Sequence, residues 1–163
     1  MDYDIVDMIH KKVIALVLII LVAATVLAIS LWLQLGPRHV QELTGAQIKV
    51  GDIKYSVELA ETAASQVRGL SGRESLPNKG GMLFIFNRPE PRMFWMYKMK
   101  FPIDIIWIKE GRVIGFEKNA PVPTGLAPAS FNSPMPADMV LEVAAGTVED
   151  DKISIGATAQ LLR

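Results

Sequence analysis

The amino-acid sequence predicts a mainly β protein, with one or two short helices and a compact, barrel-like antiparallel or mixed sheet, preceded by one transmembrane α-helix. Residues 13–33 form an unbroken apolar run, long enough to cross a hydrocarbon core of about 30 Å. The remaining sequence contains many short strand-like runs, one short helical segment and no βαβ rhythm. This pattern is typical of a closed or half-closed β-sheet.

The apolar run divides the chain into four predicted segments. These are a short cytoplasmic flank (residues 1–12), the transmembrane helix (13–35), a tether (36–46) and a single soluble β-rich domain (47–163). Lys11 and Lys12 directly precede the run, and basic residues beside a span favour the cytoplasm. We therefore expect a single-pass protein of the cell membrane with a cytoplasmic amino terminus and an extracytoplasmic domain.

A cleavable signal peptide is the alternative interpretation of the amino-terminal run, since Ala28 and Ser30 offer small residues near its end. The apolar region of a signal peptide is usually about 7–15 residues long. This run continues through Leu33. The length favours an uncleaved anchor.

The first elements of the domain are predicted from alternation and capping signals. Residues 48–50 and 53–59 alternate between apolar and polar positions around Gly51-Asp52, which predicts an antiparallel hairpin. Thr62 is a helix N-cap candidate and Gly69 a stop signal, so residues 63–68 should form a short helix. A helix of this length needs packing to persist, and we expect Val67 and Leu70 to anchor it on the sheet.

The later elements are mostly strands. The strand candidates are residues 82–86, 92–97, 103–108, 112–117, 139–144 and 158–162. Residues 146–151 can hold one helical turn. Five prolines between positions 120 and 136 predict a long excursion without ladder pairing, of the kind that often covers a site.

Composition excludes several classes of chemistry. The chain has no cysteine and only two histidines, His10 and His39, so the predicted domain contains neither thiolate nor imidazole. Serine–histidine–aspartate catalysis and the usual zinc sites are therefore excluded within one chain. With 17 basic and 17 acidic residues and no basic stripe, nucleic acid is not an expected partner. No cofactor is predicted.

Five sequence segments in the domain resemble the landmarks of a known family, domain of unknown function 192, also called uncharacterised protein family 0127. The segments are Arg68-Gly69-Leu70-Ser71-Gly72-Arg73, Gly80-Gly81-Met82-Leu83-Phe84, Phe94-Trp95-Met96-Tyr97-Lys98-Met99, Phe101-Pro102-Ile103-Asp104-Ile105 and Val140-Leu141-Glu142-Val143-Ala144-Ala145-Gly146. The resemblance implies a small, mostly β domain, often exported or lipid-anchored, with no established activity. The family's usual Lys-Asn dipeptide is replaced here by Tyr97-Lys98.

Asp104 lies within an apolar strand, where an unpaired carboxylate would cost several kcal/mol. We expect a bidentate partner from Arg68, Arg73 or Arg92, which would make Asp104 structural. A catalytic or ligand-contacting role for the carboxylate is the alternative.

Two further patterns have both a functional and a structural interpretation. Glu142 alternates with Leu141 and Val143, so it should face solvent or a barrel mouth; paired with Asp104, it would form the two-carboxylate arrangement of a glycosidase. The thioethers of Met93, Met96 and Met99 suit Cu(I). A strand would place Met96 on the opposite face, so core packing is favoured and no metal site is expected.

The leading functional hypothesis is a membrane-anchored extracytoplasmic domain that binds a small polar ligand or an envelope partner. Its predicted ligand-binding residues are Arg68, Arg73, Trp95, Lys98 and Asp104, beneath the proline-rich excursion. Two alternatives remain open: a metal-independent hydrolase that uses Asp104 and Glu142 as catalytic residues, and a structural envelope protein without a pocket. A non-enzymatic binding module is favoured.

Overall fold

A computed structural model describes residues 2–35, 45–125 and 127–162. The chain divides into an amino-terminal unit, Met1–Val40, and a second unit, Gln41–Arg163. The first unit contains the helix α1 (Asp2–Leu35), which is long and apolar enough to cross a membrane over His10–Leu27. The predicted apolar helix is thus present, and it extends back over the predicted flank. Residues 36–44 of the predicted tether lie outside the described residues.

The second unit is built mainly of β-strands. In its described part the strands are β1 (Ala46–Val50), β2 (Ile53–Ala60), β3 (Gly80–Glu90), β4 (Met93–Trp95), β5 (Ile103–Lys109), β6 (Arg112–Ala120), β7 (Ser130–Asn132), β8 (Ala137–Ala144) and β9 (Ala159–Leu162), and the helices are α2 (Ala63–Arg68) and α3 (Thr147–Asp150). Seven strands form one sheet in the order β6-β5-β8-β3-β2-β1-β9. Neighbouring strands are antiparallel except β2 and β3, which are parallel. The predicted mixed sheet is confirmed.

The sheet curls until its two edge strands meet. The Val113 amide on β6 donates to the Ala157 carbonyl at 2.9 Å, and the Ala159 amide on β9 donates to the Gly111 carbonyl at 2.8 Å. These bonds pair backbone groups that an open sheet would leave exposed at its edges. The result is the barrel-like architecture that the sequence predicts.

Each face of the curled sheet packs against a separate core. The first core lies inside the curl and includes Ile48, Tyr55 and Leu141. The second core lies on the outer face and includes Phe84, Ile105 and Trp107. Because successive side chains of a strand point to opposite faces, β5 and β8 are buried on both sides.

The helix α2 forms as predicted but is anchored differently. Thr62 caps it, with its Oγ1 accepting a hydrogen bond from the Ser65 amide at 3.1 Å, and Leu70 beyond its end is buried. Val67, by contrast, is 70% exposed, so the prediction that it anchors the helix is wrong. Gln66 anchors the helix instead: its Nε2 donates to the carbonyls of Ala60 and Ile85 at 3.2 and 2.9 Å.

The proline-rich excursion contains a strand that the sequence analysis missed. Three proline-free residues, Ser130–Asn132, form β7 and pair with β4 in a two-stranded antiparallel sheet. The prediction that residues 120–136 make no ladder pairing is therefore wrong. Three residues suffice because the pairing continues on either side through bonds from the Met96 and Ser133 amides to the carbonyls of Ala129 and Arg92.

Gly81 on β3 allows the sheet to pack closely where β3 meets β8. A Cβ at this position would lie 2.5 Å from the Glu142 carbonyl oxygen and 3.1 Å from Cγ1 of Val143. Glycine in a strand often marks such a close approach of another backbone. The second glycine of the Gly-Gly-Met-Leu-Phe segment therefore has a packing role beside Glu142.

Candidate functional site

A cavity of about 440 Å³ opens on the outer face of the sheet, between α2, β3 and β4. Four aromatic side chains belong to its lining: Phe84, Phe86, Phe94 and Trp95. Phe84 and Phe94 meet edge to face with ring centroids 4.7 Å apart, a favoured arrangement of aromatic pairs. These contacts join the cavity wall to the second core.

Glu142, at the floor of the cavity, belongs to a row of residues that crosses four neighbouring strands. Glu58 on β2 is in register with Met82 on β3, Met82 with Glu142 on β8, and Glu142 with Ile105 on β5. Residues paired across strands point to the same face. Within this row, Glu142 lines the cavity.

Glu142 is a buried carboxyl group with an unused acceptor. Its side chain is 5% exposed, and no described residue donates a hydrogen bond to its Oε2. Burial raises the pKa of Glu142 to about 8, against the opposing effect of the Arg73 charge. The prediction that Glu142 faces solvent is wrong, because α2 and β4 cover this part of the outer face.

Arg73 forms an ion pair with Glu58, the other carboxylate of the row. Its Nη2 donates to Oε2 of Glu58 at 2.7 Å, and its Nη1 donates to Oε1. This bidentate pair raises the pKa of Arg73, with burial acting in the opposite direction and the charge of Glu142 adding a smaller increase. The predicted pairing of an arginine with Asp104 is replaced by a pair between Arg73 and Glu58.

Asp104 lies on the opposite face of the sheet from the cavity. It is in register with Val143, whereas Glu142 is in register with Ile105, so the two carboxylates point to opposite faces. Asp104 accepts hydrogen bonds from three backbone amides: Asn119 at 2.8 Å, Gly146 at 3.2 Å and Val148 at 2.7 Å. These amides replace the predicted guanidinium partner, and the glycosidase-like pair of Asp104 and Glu142 is not formed.

The mouth of the cavity is apolar and exposed. Val67, Met93 and Trp95 line it and are 70%, 67% and 52% exposed. Arg68, at the end of α2, also lines it and is exposed. The guanidinium of Arg92 lies 3.7 Å from the centroid of the Phe86 ring and donates to the carbonyls of Ala137 and Arg88 at 3.2 and 2.7 Å.

The structure brings together some of the predicted ligand-binding residues. Arg68 and Trp95 line the cavity, and Arg73 acts electrostatically on Glu142 at its floor. Lys98 does not belong to the lining formed by the described residues; its Nζ lies 5.2 Å from the centroid of the Tyr97 ring. The predicted roof is also wrong, since no described residue of the excursion lines the cavity.

The three methionines of the predicted copper motif do not face one space. Met93 and Met99 line the cavity, whereas Met96 is fully buried in the second core. In the part of the chain that the structure describes, no three His, Asp or Glu side chains form a group that could hold a metal ion.

A second polar cluster lies beside a smaller pocket of about 220 Å³, whose lining includes Tyr55, Lys79 and Ala144. The hydroxyl of Tyr55 and the ammonium of Lys79 both donate to the carboxylate of Asp151. Burial acts to raise the pKa of Asp151, but these two hydrogen bonds and the Lys79 charge outweigh it and lower the pKa. The members of this cluster satisfy one another, in contrast to Glu142.

The model of the family Uncharacterized ACR, domain of unknown function 192 (DUF192), matches residues 46–161, almost all of the second unit. The chain belongs to this family. The resemblance carried by the five sequence segments is thereby confirmed. No curated protein matches this DUF192 chain.

Two solved structures are similar to this DUF192 chain. One, from Novosphingobium aromaticivorans DSM 12444, is described as a protein of unknown function; it is 28% identical, has a TM-score of 0.65, and the match covers 70% of this chain and 83% of that one. The other, from Sinorhizobium meliloti 1021, is described as a "putative transcription regulator"; it is 29% identical, has a TM-score of 0.65, and the match covers 71% and 92% of the two chains. Both share the fold of the domain.

Proposed function

We propose that this DUF192 protein is a membrane-anchored, extracytoplasmic module that binds a small molecule in the cavity between α2, β3 and β4. The observation that carries this proposal is the buried Glu142 carboxyl group, which lines an open, aromatic cavity and has an unpartnered Oε2. Ligand sites in proteins are typically apolar concavities with a few polar groups that fix orientation.

The energetics of Glu142 support a binding role. A buried polar atom without a hydrogen bond costs about 1–3 kcal/mol, and the neighbouring guanidinium is already engaged with Glu58. A ligand that hydrogen-bonds to the carboxyl would recover this cost upon binding. An inward-facing polar group of this kind is common at functional sites.

The residues that line the cavity also indicate how polar the ligand should be. Phe84, Phe86, Phe94 and Trp95 present mainly apolar surface, so a ligand that is polar throughout would lose hydration without replacement contacts. A molecule with an aromatic or aliphatic body and one polar group fits better. An envelope protein could supply the same chemistry through one inserted side chain, for which the exposed Met93 and Trp95 at the mouth would be the contact surface.

A ligand screen by thermal shift tests the proposal on the full chain in detergent. A ligand that binds the folded state raises the unfolding temperature. Val67→Trp would narrow the mouth, whereas Ile155→Trp changes an equally exposed side chain that does not line the cavity. We expect ligands to stabilise wild type and Ile155→Trp but not Val67→Trp. Equal shifts in all three proteins, or none in wild type, would contradict cavity binding.

The membrane topology can be tested with single cysteines, because the natural chain has none. Lys118→Cys lies at an exposed position of β6, and Asp2→Cys lies at the start of α1. A membrane-impermeant maleimide should label the Lys118→Cys variant in intact cells and the Asp2→Cys variant only after permeabilisation. The reverse pattern would place the domain in the cytoplasm.

A further inference from the structure

We infer that the ligand carries a positive charge, such as an ammonium group, and that this charge pairs with the Glu142 carboxylate at the cavity floor. The inference rests on the proposed binding function and names the chemical class of the ligand. It is drawn from the charges of the row that crosses β2, β3 and β8.

The first argument is the charge balance of this row. Glu58 and Glu142 lie on the same face with Met82 between them, and among the described residues Arg73 is the guanidinium that acts on both. Arg73 donates to both oxygens of Glu58. With both carboxyls ionised, the three groups carry one net negative charge in a buried site. One positive charge is needed to balance them.

The second argument is the composition of the cavity wall. Aromatic rings attract cations through the negative potential of their faces, and the attraction is strongest for tryptophan. Phe84, Phe94 and Trp95 line the cavity together with Glu142, whereas the ring of Phe86 already carries the Arg92 guanidinium. A carboxylate combined with several rings suits an organic cation better than it suits an anion or a fully polar molecule.

Among the described residues, the other charged groups around Glu142 place no buried, unpaired cation beside its carboxyl. On β3 and β5 its neighbours in the row are the uncharged Met82 and Ile105, and beyond Ile105 lies the half-buried Glu117 of β6. Arg92 also lines the cavity, but its guanidinium stacks on Phe86 and pairs with Glu90, with Nη1 3.3 Å from Oε2. Arg68 is exposed at the end of α2, where water screens its charge. In the free protein at pH 7, a proton on Glu142 neutralises the excess negative charge.

This arrangement makes binding of a cation a proton exchange. A cation that pairs with Glu142 displaces the proton, so its affinity should increase as the pH rises toward 8, the value that burial gives to the pKa of Glu142. An uncharged ligand that accepts a hydrogen bond from the protonated carboxyl should show the opposite dependence.

Three probes of similar size and different charge test the inference on the full chain in neutral detergent. They are 2-phenylethylammonium, 2-phenylethanol and 3-phenylpropionate, measured by isothermal titration calorimetry at pH 7 in buffers of different ionisation enthalpy. We expect the cation to bind at least about tenfold more tightly than the other two probes. Its binding should release close to one proton, whereas the alcohol should release none.

The matched variant is Glu142→Gln, which keeps the shape of the protonated side chain. It should lower the affinity of the cation by about tenfold or more and abolish proton release, with the affinity of the alcohol unchanged. Equal affinities for the three probes, or cation binding to wild type without proton release, would overturn the inference and leave cavity binding standing. If no probe binds and the wider ligand screen is also empty, both proposals fall. If that screen yields only uncharged or anionic ligands, the inference alone falls.

Discussion

Glu58 on β2 and Glu142 on β8 lie on the same face of the sheet, separated by the single strand β3. Two strand spacings place their backbones roughly 10 Å apart. Both are buried, but only Glu58 has a bidentate arginine partner. Glu142 lacks such a partner and has a raised pKa, which makes its titration the most direct test of the site.

The first prediction concerns the pH dependence of stability. Burial raises the pKa of Glu142 to about 8 in the folded protein, whereas an unfolded glutamate has a pKa near 4.3. Below the unfolded value Glu142 is protonated in both states, so its ionisation does not reduce the stability of the folded state. As the pH rises toward 8, the unfolded state loses its proton first, and we expect a loss of stability on the order of a few kcal/mol.

The Glu142→Gln variant removes this dependence, because glutamine does not titrate. It should be more stable than wild type at pH 8 and similar to wild type at pH 4, as measured by urea unfolding at each pH. Glu149→Gln, at an exposed position of α3, should follow the wild-type profile. A constant difference in stability between wild type and Glu142→Gln from pH 4 to pH 8 would contradict the raised pKa.

Local signals in the sequence predicted much of this fold. The hairpin β1–β2 follows from alternation around Gly51-Asp52, and α2 from Thr62 and Gly69, because the responsible interactions join residues close in the chain. The strand β5 was also predicted, and its sequence from Ile103 to Ile108 is apolar except for Asp104. The parallel pairing of β2 with β3 joins strands that α2 separates in the sequence, and it was not readable from either strand alone.

The candidate site was less predictable than the fold. Glu142 was expected in solvent because alternation places it opposite Leu141 and Val143, but the outer face of β8 is itself covered by a second core. Asp104 was expected to need an arginine, but its partners are backbone amides 15, 42 and 44 residues away. Every non-proline residue carries an amide donor, so residue types alone cannot identify such partners.

The second prediction separates Asp104 from the binding site. In Asp104→Asn, one carboxylate oxygen becomes an NH2 group, which cannot accept the hydrogen bonds that the amides donate. We expect destabilisation of about 1–3 kcal/mol by urea unfolding. Ligand affinity, measured where the variant is folded, should not change, because Asp104 lies on the opposite face from the cavity. Asp52→Asn, at a fully exposed position, should be neutral. Loss of ligand affinity in a folded Asp104→Asn protein would support the original prediction that Asp104 contacts the ligand.

The third prediction concerns the close packing of β3 on β8. Gly81→Ala places a Cβ 2.5 Å from the Glu142 carbonyl oxygen, so the two central strands must separate. We expect a loss of more than about 2 kcal/mol and weaker ligand binding, because the displacement moves Glu142. Gly125→Ala is the matched control, since a Cβ there meets no atom within 4 Å. If the two variants are equally stable by thermal unfolding, the close contact between residue 81 and the Glu142 carbonyl does not fix the spacing of β3 and β8.

The fourth prediction explains the departure from the family's usual Lys-Asn dipeptide. Lys98 occupies the asparagine position and has a φ of +54°, in the left-handed region where asparagine is several-fold enriched and other side chains are disfavoured. Asparagine at this position therefore suits the backbone, and no ligand contact is needed to account for it.

Lys98→Asn and Lys98→Gln both remove the ammonium that lies over the Tyr97 ring, so they differ mainly in backbone preference. We expect the asparagine variant to be more stable by about 0.5–1 kcal/mol, measured by urea unfolding, with ligand affinity the same in both. Equal stability of the two variants would contradict the explanation from backbone geometry, and a change of ligand affinity in Lys98→Asn would assign the position to binding.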